Sequence, residues 1–222
     1  MTTALSAPQL VIFDCDGVLV DSEPVANRML AQMLRELGLD LTQEQIFEQF
    51  VGYSMAHVLR VIESLLGRAP PETFLGDLQA RTFEAFRTEL RAMPGIEPAL
   101  DGLGVPFCVA SSGDHEKMRT TLGITGLWPR FAGRIFSVTQ VARGKPAPDV
   151  YLFAAGQLGA EPAACVVVED TPPGVQAGVA AGMTVFGFCA HTPEHKLTAA
   201  GAHRTFDDLR RLPGLISGRD VQ

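Results

Sequence analysis

Two aspartates, two positions apart, follow an apolar run near the N-terminus. Asp14 and Asp16 lie in the segment DCDGVLVDS, directly after Leu10–Phe13 (LVIF). Two carboxylates at a strand end can bind a divalent cation, or divide into a nucleophile and an acid/base group. Gly17 permits the tight turn that such a strand exit needs. The alternative is an acidic turn that only closes the strand. A calcium-binding loop is excluded, because valine occupies both its fifth and its twelfth position.

Hydroxyl and basic groups follow in two further segments. Ser111 and Ser112 come directly after the apolar run FCVA, where hydroxyls and backbone N–H groups can form an anion site. The alternative is that Ser112 or Asp114 caps the next helix. Lys145 lies between glycine and proline in GKPAPD, a stiff loop that would aim it at little entropic cost, or it is a solvated loop lysine. A phosphate-binding P-loop is excluded, because Pro146 replaces the required Ser or Thr.

A second acid pair, Glu169-Asp170, follows the apolar run CVVV. This pair could bind a hard cation, or form a turn in which Asp170 or Thr171 caps the next helix. Ligands of an open parallel sheet bind beyond the carboxyl ends of its strands. Because both acid pairs and Ser111 directly follow predicted strands, and Lys145 lies in the loop before the last of these strands, the sequence predicts one shared site.

The elements that must position this site alternate between strands and helices. Such alternation predicts an α/β fold with a doubly wound, Rossmann-like parallel sheet. The predicted strands are Leu10–Phe13, Phe107–Ala110, Cys165–Val168 and Thr184–Phe188. The predicted helices are Glu116–Leu122, Asp149–Leu158, Gly174–Ala181 and Phe206–Leu212.

A stretch of helical periodicity interrupts this alternation. We therefore predict that residues 1–21 and 94–222 form the α/β core and that residues 22–93 form an inserted helical domain. The predicted helices of the insertion are Val25–Leu37, Gln43–Phe50, Met55–Leu66 and Glu72–Arg91.

Composition excludes several classes of function. With 46% hydrophobic and 19% charged residues in 222, the chain is globular. A net charge of −7 argues against broad binding of nucleic acid. No apolar run approaches the ~20 residues of a membrane span, and the first residues do not resemble a secretory signal. Four widely spaced cysteines fit reduced thiols in a cytoplasmic protein. A monomer is the default expectation.

The four segments, in their order along the chain, resemble the haloacid dehalogenase superfamily of phosphatases and phosphomutases. They are DCDGVLVDS, the serine after FCVA, GKPAPD and VVVEDTPPGVQAG. The inserted stretch is similar to the first type of cap domain in that superfamily. Within it, the chain resembles the β-phosphoglucomutase-like branch of sugar-phosphate phosphatases.

The resemblance implies roles for five residues. Asp14 would be the nucleophile that forms an aspartyl-phosphate. Asp16 would be the general acid for the leaving oxygen and then the base for water, which requires burial to raise its pKa. Ser111, helped by Ser112, would bind the phosphoryl oxygens. Lys145 would pair with the phosphate and with Asp14.

The resemblance also implies a Mg²⁺ cofactor. Asp170 would hold the ion together with Asp14 and the backbone carbonyl of Asp16. Glu169 would be a further ligand or a group that supports one. The expected activity is hydrolysis of a small phosphorylated metabolite, a sugar or sugar-acid phosphate, with 6-phosphogluconate as one candidate.

The alternative activity is that of a β-phosphoglucomutase. Two departures from the mutases argue against it. Ala26 stands where they carry a hinge histidine, and Met55, three residues beyond Gly52, stands where they carry a phosphate-binding arginine. Asp16 excludes the dehalogenase branch, which lacks that acid, and the insertion has no lysine for the Schiff base of the phosphonatase branch.

Two rivals belong to other classes. A signalling receiver domain also combines an Asp, a hydroxyl and a Lys on an α/β sheet, but it would need neither the insertion nor the second acid pair. A binding protein that has lost catalysis would not need both Asp14 and Asp16. Steady release of phosphate from a phosphoester would separate the enzyme from both rivals.

Overall fold

The computed structural model describes residues 8–50 and 55–218, which divide into two compact units. One unit comprises the described residues of Met1–Val20 and Arg91–Gln222, and the other is Asp21–Leu90. Gly52 lies outside the described residues. The role of residues 22–93 as a cap stays a prediction.

The larger unit is built on a six-stranded sheet. Its strands are β1 (Leu10–Phe13), β2 (Phe107–Ser111), β3 (Ile135–Ser137), β4 (Cys165–Glu169), β5 (Thr184–Phe188) and β6 (Arg204–Phe206). They pair in the order β3-β2-β1-β4-β5-β6, and every pair is parallel. Every residue of β1, β2 and β4 is buried, as in a sheet covered on both faces by helices. The predicted α/β class is confirmed.

The chain reverses its direction of winding at β1. It passes from β1 to β2 and β3 on one side, and then crosses to β4 on the other side of β1. Phe13 pairs with Val109 of β2 and with Val168 of β4, so the carboxyl ends of these three strands are neighbours. The crevice at such a switch point is where open α/β sheets bind ligands.

The described residues of the smaller unit form four helices, each within two residues of its predicted bounds. They are α1 (Glu23–Glu36), α2 (Gln43–Phe50), α3 (Met55–Leu66) and α4 (Phe74–Glu89). Their apolar faces meet in a core that includes the buried side chains of Leu34, Ile46, Ile62 and Phe74.

Helices cover the sheet of the larger unit. They are α5 (Ile96–Gly102), α6 (His115–Ile124), α7 (Trp128–Phe131), α8 (Asp149–Gln157), α9 (Pro172–Ala180), α10 (Glu194–Ala199) and α11 (Leu212–Ile216). Asp114 rather than Ser112 caps α6, and Thr171 rather than Asp170 caps α9. Within residues 8–50 and 55–218, no helix has the length and apolar character that crossing a membrane requires.

The sequence prediction was wrong for the last elements of the chain. The predicted helix Phe206–Leu212 is instead the last residue of β6, a 3-10 turn at Leu209–Arg211 and the first residue of α11. Strands β3 and β6 were not predicted. Each has only three residues and lies at an edge of the sheet, which is too short to show a strand period.

Candidate active site

A tight loop holds two of the predicted acids at the carboxyl end of β1. Asp14 is 7% exposed, and its backbone N–H donates to the carbonyl of Val168 at 2.9 Å. Gly17 has a φ of +76°, and its N–H donates to the carbonyl of Val20 at 2.9 Å. The left-handed conformation at glycine closes the loop that carries Asp16.

Lys145 is buried between acids from two strands. Its Nζ donates to Asp14 Oδ1 at 2.5 Å and to Glu169 Oε1 at 2.8 Å. The side chain is only 4% exposed, and Nζ lies 4.8 Å from the ring centre of Tyr151. The alternative of a solvated loop lysine is therefore wrong. One ammonium group joins the ends of β1 and β4.

Glu169 has both carboxylate oxygens engaged by protein donors. Oε1 accepts from Lys145 and, at 3.1 Å, from the hydroxyl of Tyr151. Oε2 accepts from the backbone N–H and the hydroxyl of Thr171 at 2.7 and 2.9 Å. These four donors match the roughly four acceptor positions of a carboxylate. The geometry therefore favours Glu169 as the group that holds Lys145 over Glu169 as a metal ligand.

Asp170 packs against the loop that follows β1. It is buried, and a Cβ placed on Gly17 would lie 2.1 Å from its Oδ2. Only glycine permits this approach, since real Cβ atoms do not come that close. The contact brings the Asp170 carboxylate beside the backbone of the loop that carries Asp14 and Asp16.

The end of β2 and the residues after it are hydrogen-bonded to each other and to the end of β3. Ser111 is buried, and its Oγ accepts from the N–H of Gly113 at 3.0 Å. The hydroxyl of Ser137, at the end of β3, donates to the Gly113 carbonyl at 2.7 Å. Ser112 is exposed. The structure thus places both Ser111 and Asp14 at the carboxyl ends of the parallel strands.

Sequence reasoning missed two residues of this site. Lys117, in the first turn of α6, donates through Nζ to Asp16 Oδ2 at 2.7 Å. Tyr151, buried in α8, donates to Glu169. A cation in the first turn of a helix is opposed by the helix dipole, so Lys117 could have been noticed. Tyr151 lies in an apolar helix and reads as a core residue.

Burial and charge act together on the central ion pairs. Burial, together with the nearby charge of Glu169, raises the pKa of Asp14 to about 7 despite the lowering effect of Lys145. Burial alone would lower the pKa of Lys145, but Asp14 and Glu169 outweigh it and raise that pKa well above its usual value. The site holds two acids and one cation in this group, so it can accept more positive charge.

The donor set suits Mg²⁺. The carboxylates of Asp14 and Asp170 and the backbone carbonyl of Asp16 are hard oxygen donors around one loop, the type that Mg²⁺ prefers. Across residues 8–50 and 55–218, no group of three or more His, Cys, Asp or Glu side chains is arranged to hold a metal. That fits Mg²⁺, which commonly uses one or two carboxylates, waters and substrate phosphate.

The close contact at Gly174 yields a prediction. A Cβ on Gly174 would lie 1.6 Å from Glu169 Oε1, so we expect Gly174→Ala to displace Glu169 and loosen Lys145. Overpacking of this kind costs about 1–3 kcal/mol of unfolding free energy, and we expect kcat/KM to fall at least about tenfold. Chemical denaturation and activity assays measure the two effects.

Gly156→Ala in α8 is the matched control. A Cβ on Gly156 meets no atom within 4 Å, so this variant should be as stable as the wild type or slightly more so. Wild-type activity and stability in Gly174→Ala would contradict the assigned role of Glu169.

The chain is similar in sequence and in structure to several known proteins. Residues 8–182 match the family model of the haloacid dehalogenase-like hydrolases. The 6-phosphogluconate phosphatase of Escherichia coli is 32% identical over 216 residues, 97% of each chain. Hexitol phosphatase A of E. coli is 36% identical over 78% of this chain and 80% of its own. The structure of a haloacid dehalogenase-like protein of unknown function from Agrobacterium tumefaciens superposes with a TM-score of 0.87, 34% identity and coverage of 95% and 98%.

Proposed function

The chain belongs to the haloacid dehalogenase-like hydrolases, and we propose that it hydrolyses a small sugar or sugar-acid phosphate through an aspartyl-phosphate on Asp14. Its similarity to proteins named phosphatases identifies it as a phosphatase. The observation that carries the proposal is the buried Lys145 ammonium, held between Asp14 and Glu169 at the switch point of the sheet. A phosphate dianion entering there meets a fixed cation beside a carboxylate nucleophile.

The first step transfers the phosphoryl group to the enzyme. An oxygen of Asp14 attacks phosphorus, and the ester P–O bond breaks. The leaving oxygen keeps the electron pair and takes a proton from Asp16. Lys145 offsets the repulsion between the carboxylate and the phosphoryl oxygens, and Ser111 donates to one of those oxygens.

The second step releases phosphate. Asp16, now deprotonated, takes a proton from a water molecule as the water attacks phosphorus. The bond between Asp14 and phosphorus breaks, and the carboxylate of Asp14 is restored. Dividing hydrolysis in this way lets one acid serve as proton donor and then as acceptor.

Metal dependence follows from the donor set. Asp14, Asp170 and the backbone carbonyl of Asp16 would hold Mg²⁺, which would supply positive charge against the phosphoryl oxygens. We therefore expect EDTA to abolish turnover and added Mg²⁺ to restore it. Full activity after exhaustive chelation would contradict this expectation.

The affinity for Mg²⁺ should depend on pH. Because burial raises the pKa of Asp14 to about 7, Asp14 is protonated below that pH and must lose its proton to bind a cation. The apparent affinity should therefore fall roughly tenfold per pH unit on going below pH 7. Calorimetric Mg²⁺ titrations at pH 6 and pH 8 test this, and Asp14→Asn should remove the difference. Equal wild-type affinities at the two pH values would contradict it.

The proposed substrate class is supported by similarity over nearly the full chain. The relative that matches 97% of this chain is named for 6-phosphogluconate, and the second is named for hexitol phosphates. We therefore propose that the substrate is a phosphorylated sugar or sugar acid, with 6-phosphogluconate tested first and polyol phosphates included because of the second relative. A screen of sugar, sugar-acid and polyol phosphates with detection of inorganic phosphate is the experiment. Release of phosphate from none of them would overturn the proposed class.

The alternative phosphomutase activity gives a further prediction. A mutase must protect its aspartyl-phosphate from water and hold a bisphosphate intermediate while it reorients. Neither Ala26, with its methyl side chain, nor the thioether of Met55 can donate a hydrogen bond for these tasks.

Incubation with β-glucose 1-phosphate, Mg²⁺ and a trace of glucose 1,6-bisphosphate separates the two activities. We expect inorganic phosphate or no reaction. Formation of glucose 6-phosphate much faster than inorganic phosphate would favour the mutase.

A further inference from the structure

Lys117 reaches the proposed acid of the site from a different strand–helix unit. Its Nζ lies 2.7 Å from Asp16 Oδ2, although the two residues are 101 positions apart in the sequence. The two side chains are only 34% and 24% exposed. This ion pair therefore joins the loop after β1 to the helix after β2 inside a partly buried crevice.

The start of α6 directs Lys117 to this place. Asp114 caps the helix by accepting from the backbone N–H of Lys117 at 2.7 Å. Side chains in a helix lean toward its N-terminus, so the stem of Lys117 runs back to the end of β2.

Gly113 leaves room for that stem. A Cβ there would lie 3.3 Å from Lys117 Cδ, 3.5 Å from Ser111 Oγ and 3.9 Å from Asp16 Oδ2. Lys117, Ser111 and the proposed acid Asp16 thus converge around one point.

Helix stability does not account for a lysine at this position. The positive end of the helix dipole opposes a cation in the first turn. A partly exposed ion pair contributes little to folding. Two other basic side chains near the same helix have different partners. Arg119 stacks on the ring of Trp128, and Arg130 pairs with Asp101. Lys117 is the basic residue of α6 that faces the site.

We infer that Lys117 is a positioning residue, which holds the carboxyl group of Asp16 in line with the leaving-group oxygen. This inference rests on the proposed phosphatase function and deepens it. The bond from Nζ to Oδ2 restrains the orientation of the Asp16 carboxyl group, and Oδ1 is then the oxygen that carries the proton for the leaving group. Lys117 itself transfers no proton. When the ester P–O bond breaks, the oxygen that leaves with the electron pair takes the proton of Asp16.

The consequence is a selective loss of the step that needs an acid. A misplacement of about 1 Å can cost about 10²-fold in rate. Here the rate should fall only for substrates whose leaving group needs a proton. Phenolate, whose conjugate acid has a pKa near 10 like that of tyrosine, needs protonation. p-Nitrophenolate is a more stable anion and does not.

The experiment compares phenyl phosphate with p-nitrophenyl phosphate in single-turnover release of the phenol. In Lys117→Met we expect the rate with phenyl phosphate to fall at least about tenfold more than the rate with p-nitrophenyl phosphate. Lys117→Arg keeps the cation and should retain the wild-type ratio of the two rates. Arg119→Met, which removes an exposed cation from the same helix, should also retain it.

Several results would overturn the inference. Equal losses with both substrates indicate a merely structural role, and no loss with either indicates no role. A Lys117→Arg ratio as low as that of Lys117→Met would show that the cation is not what Asp16 requires. Should Lys117→Met not fold, Lys117→Gln carries the same comparison. Failure of the wild type on both substrates would instead count against the proposed function.

Discussion

Asp14→Asn is expected to lose at least about 10⁴-fold in kcat, since it removes the atom that would form the covalent bond to phosphorus. An amide of the same shape cannot attack phosphorus as a carboxylate does. The loss should be the same with every phosphoester, whatever its leaving group, because the nucleophile is common to all of them. Steady-state release of inorganic phosphate measures it.

The same variant should be at least as stable as the wild type at pH 8. Burial raises the pKa of Asp14 to about 7, so the folded protein binds a proton that the unfolded chain releases at lower pH. The contribution of Asp14 to the stability of the wild type therefore falls as pH rises from about 4 to about 7. Asparagine does not ionise, and Lys145 keeps its ion pair with Glu169. We expect the Tm of Asp14→Asn at pH 8 to be equal to or above that of the wild type.

Asp207→Asn is the control for Asp14→Asn. Asp207 is exposed, so the same chemical change there should alter neither the rate nor the Tm. Phosphatase activity above a hundredth of the wild-type rate in purified, folded Asp14→Asn would contradict the assignment of the nucleophile.

Lys145→Met should lose about 10²–10³-fold in kcat/KM, the range seen when one group that stabilises transition-state charge is removed. It should also destabilise the fold, because it leaves Asp14 and Glu169 buried without the cation that joins them. Breaking a buried ion pair on one side costs about 3–5 kcal/mol of unfolding free energy. Activity assays and denaturant unfolding measure the two losses.

The pH dependence of this destabilisation identifies its cause. Lys145 lowers the pKa of Asp14, so without it Asp14 should bind a proton more readily. Because protonation of Asp14 relieves its repulsion with Glu169, the stability deficit should be smaller at pH 5.5 than at pH 8. Lys196→Met removes an exposed lysine and should behave as the wild type. A deficit in Lys145→Met that does not change with pH would contradict the proposed charge balance.

The sequence predicted the part of the site that the strands dictate. Asp14, Ser111 and the Glu169-Asp170 pair lie at the ends of short apolar strands, and a parallel sheet brings such ends together. The position of Lys145 in the loop before the last of these strands placed it in the same predicted site, and the resemblance to a known family added its pairing with Asp14. Taken alone, a lysine between glycine and proline reads more simply as a solvated loop residue. The structure decides this point through its burial.

Other contacts of the site depend on the direction in which a side chain points, and the sequence pattern does not predict that direction. Lys117 and Tyr151 act through contacts from helices whose apolar pattern fixes only the buried face. The sequence left Glu169 open as a metal ligand or as a supporting group, and its four hydrogen-bond donors, which favour the supporting role, are visible only in the structure. The edge strands β3 and β6 are short and partly polar, so neither their hydrophobic period nor their composition predicts a strand.

The proposed mechanism depends on a covalent aspartyl-phosphate, and this intermediate can be trapped. In Asp16→Asn, p-nitrophenyl phosphate still supplies a good leaving group, but the base that activates water is gone, so the aspartyl-phosphate should accumulate. Acid quenching followed by peptide mass spectrometry should find one phosphoryl group, on the peptide that contains Asp14, and none in the double variant with Asp14→Asn. Release of p-nitrophenol by Asp16→Asn with no phosphoryl group on that peptide, or with the group on another residue, would contradict the account.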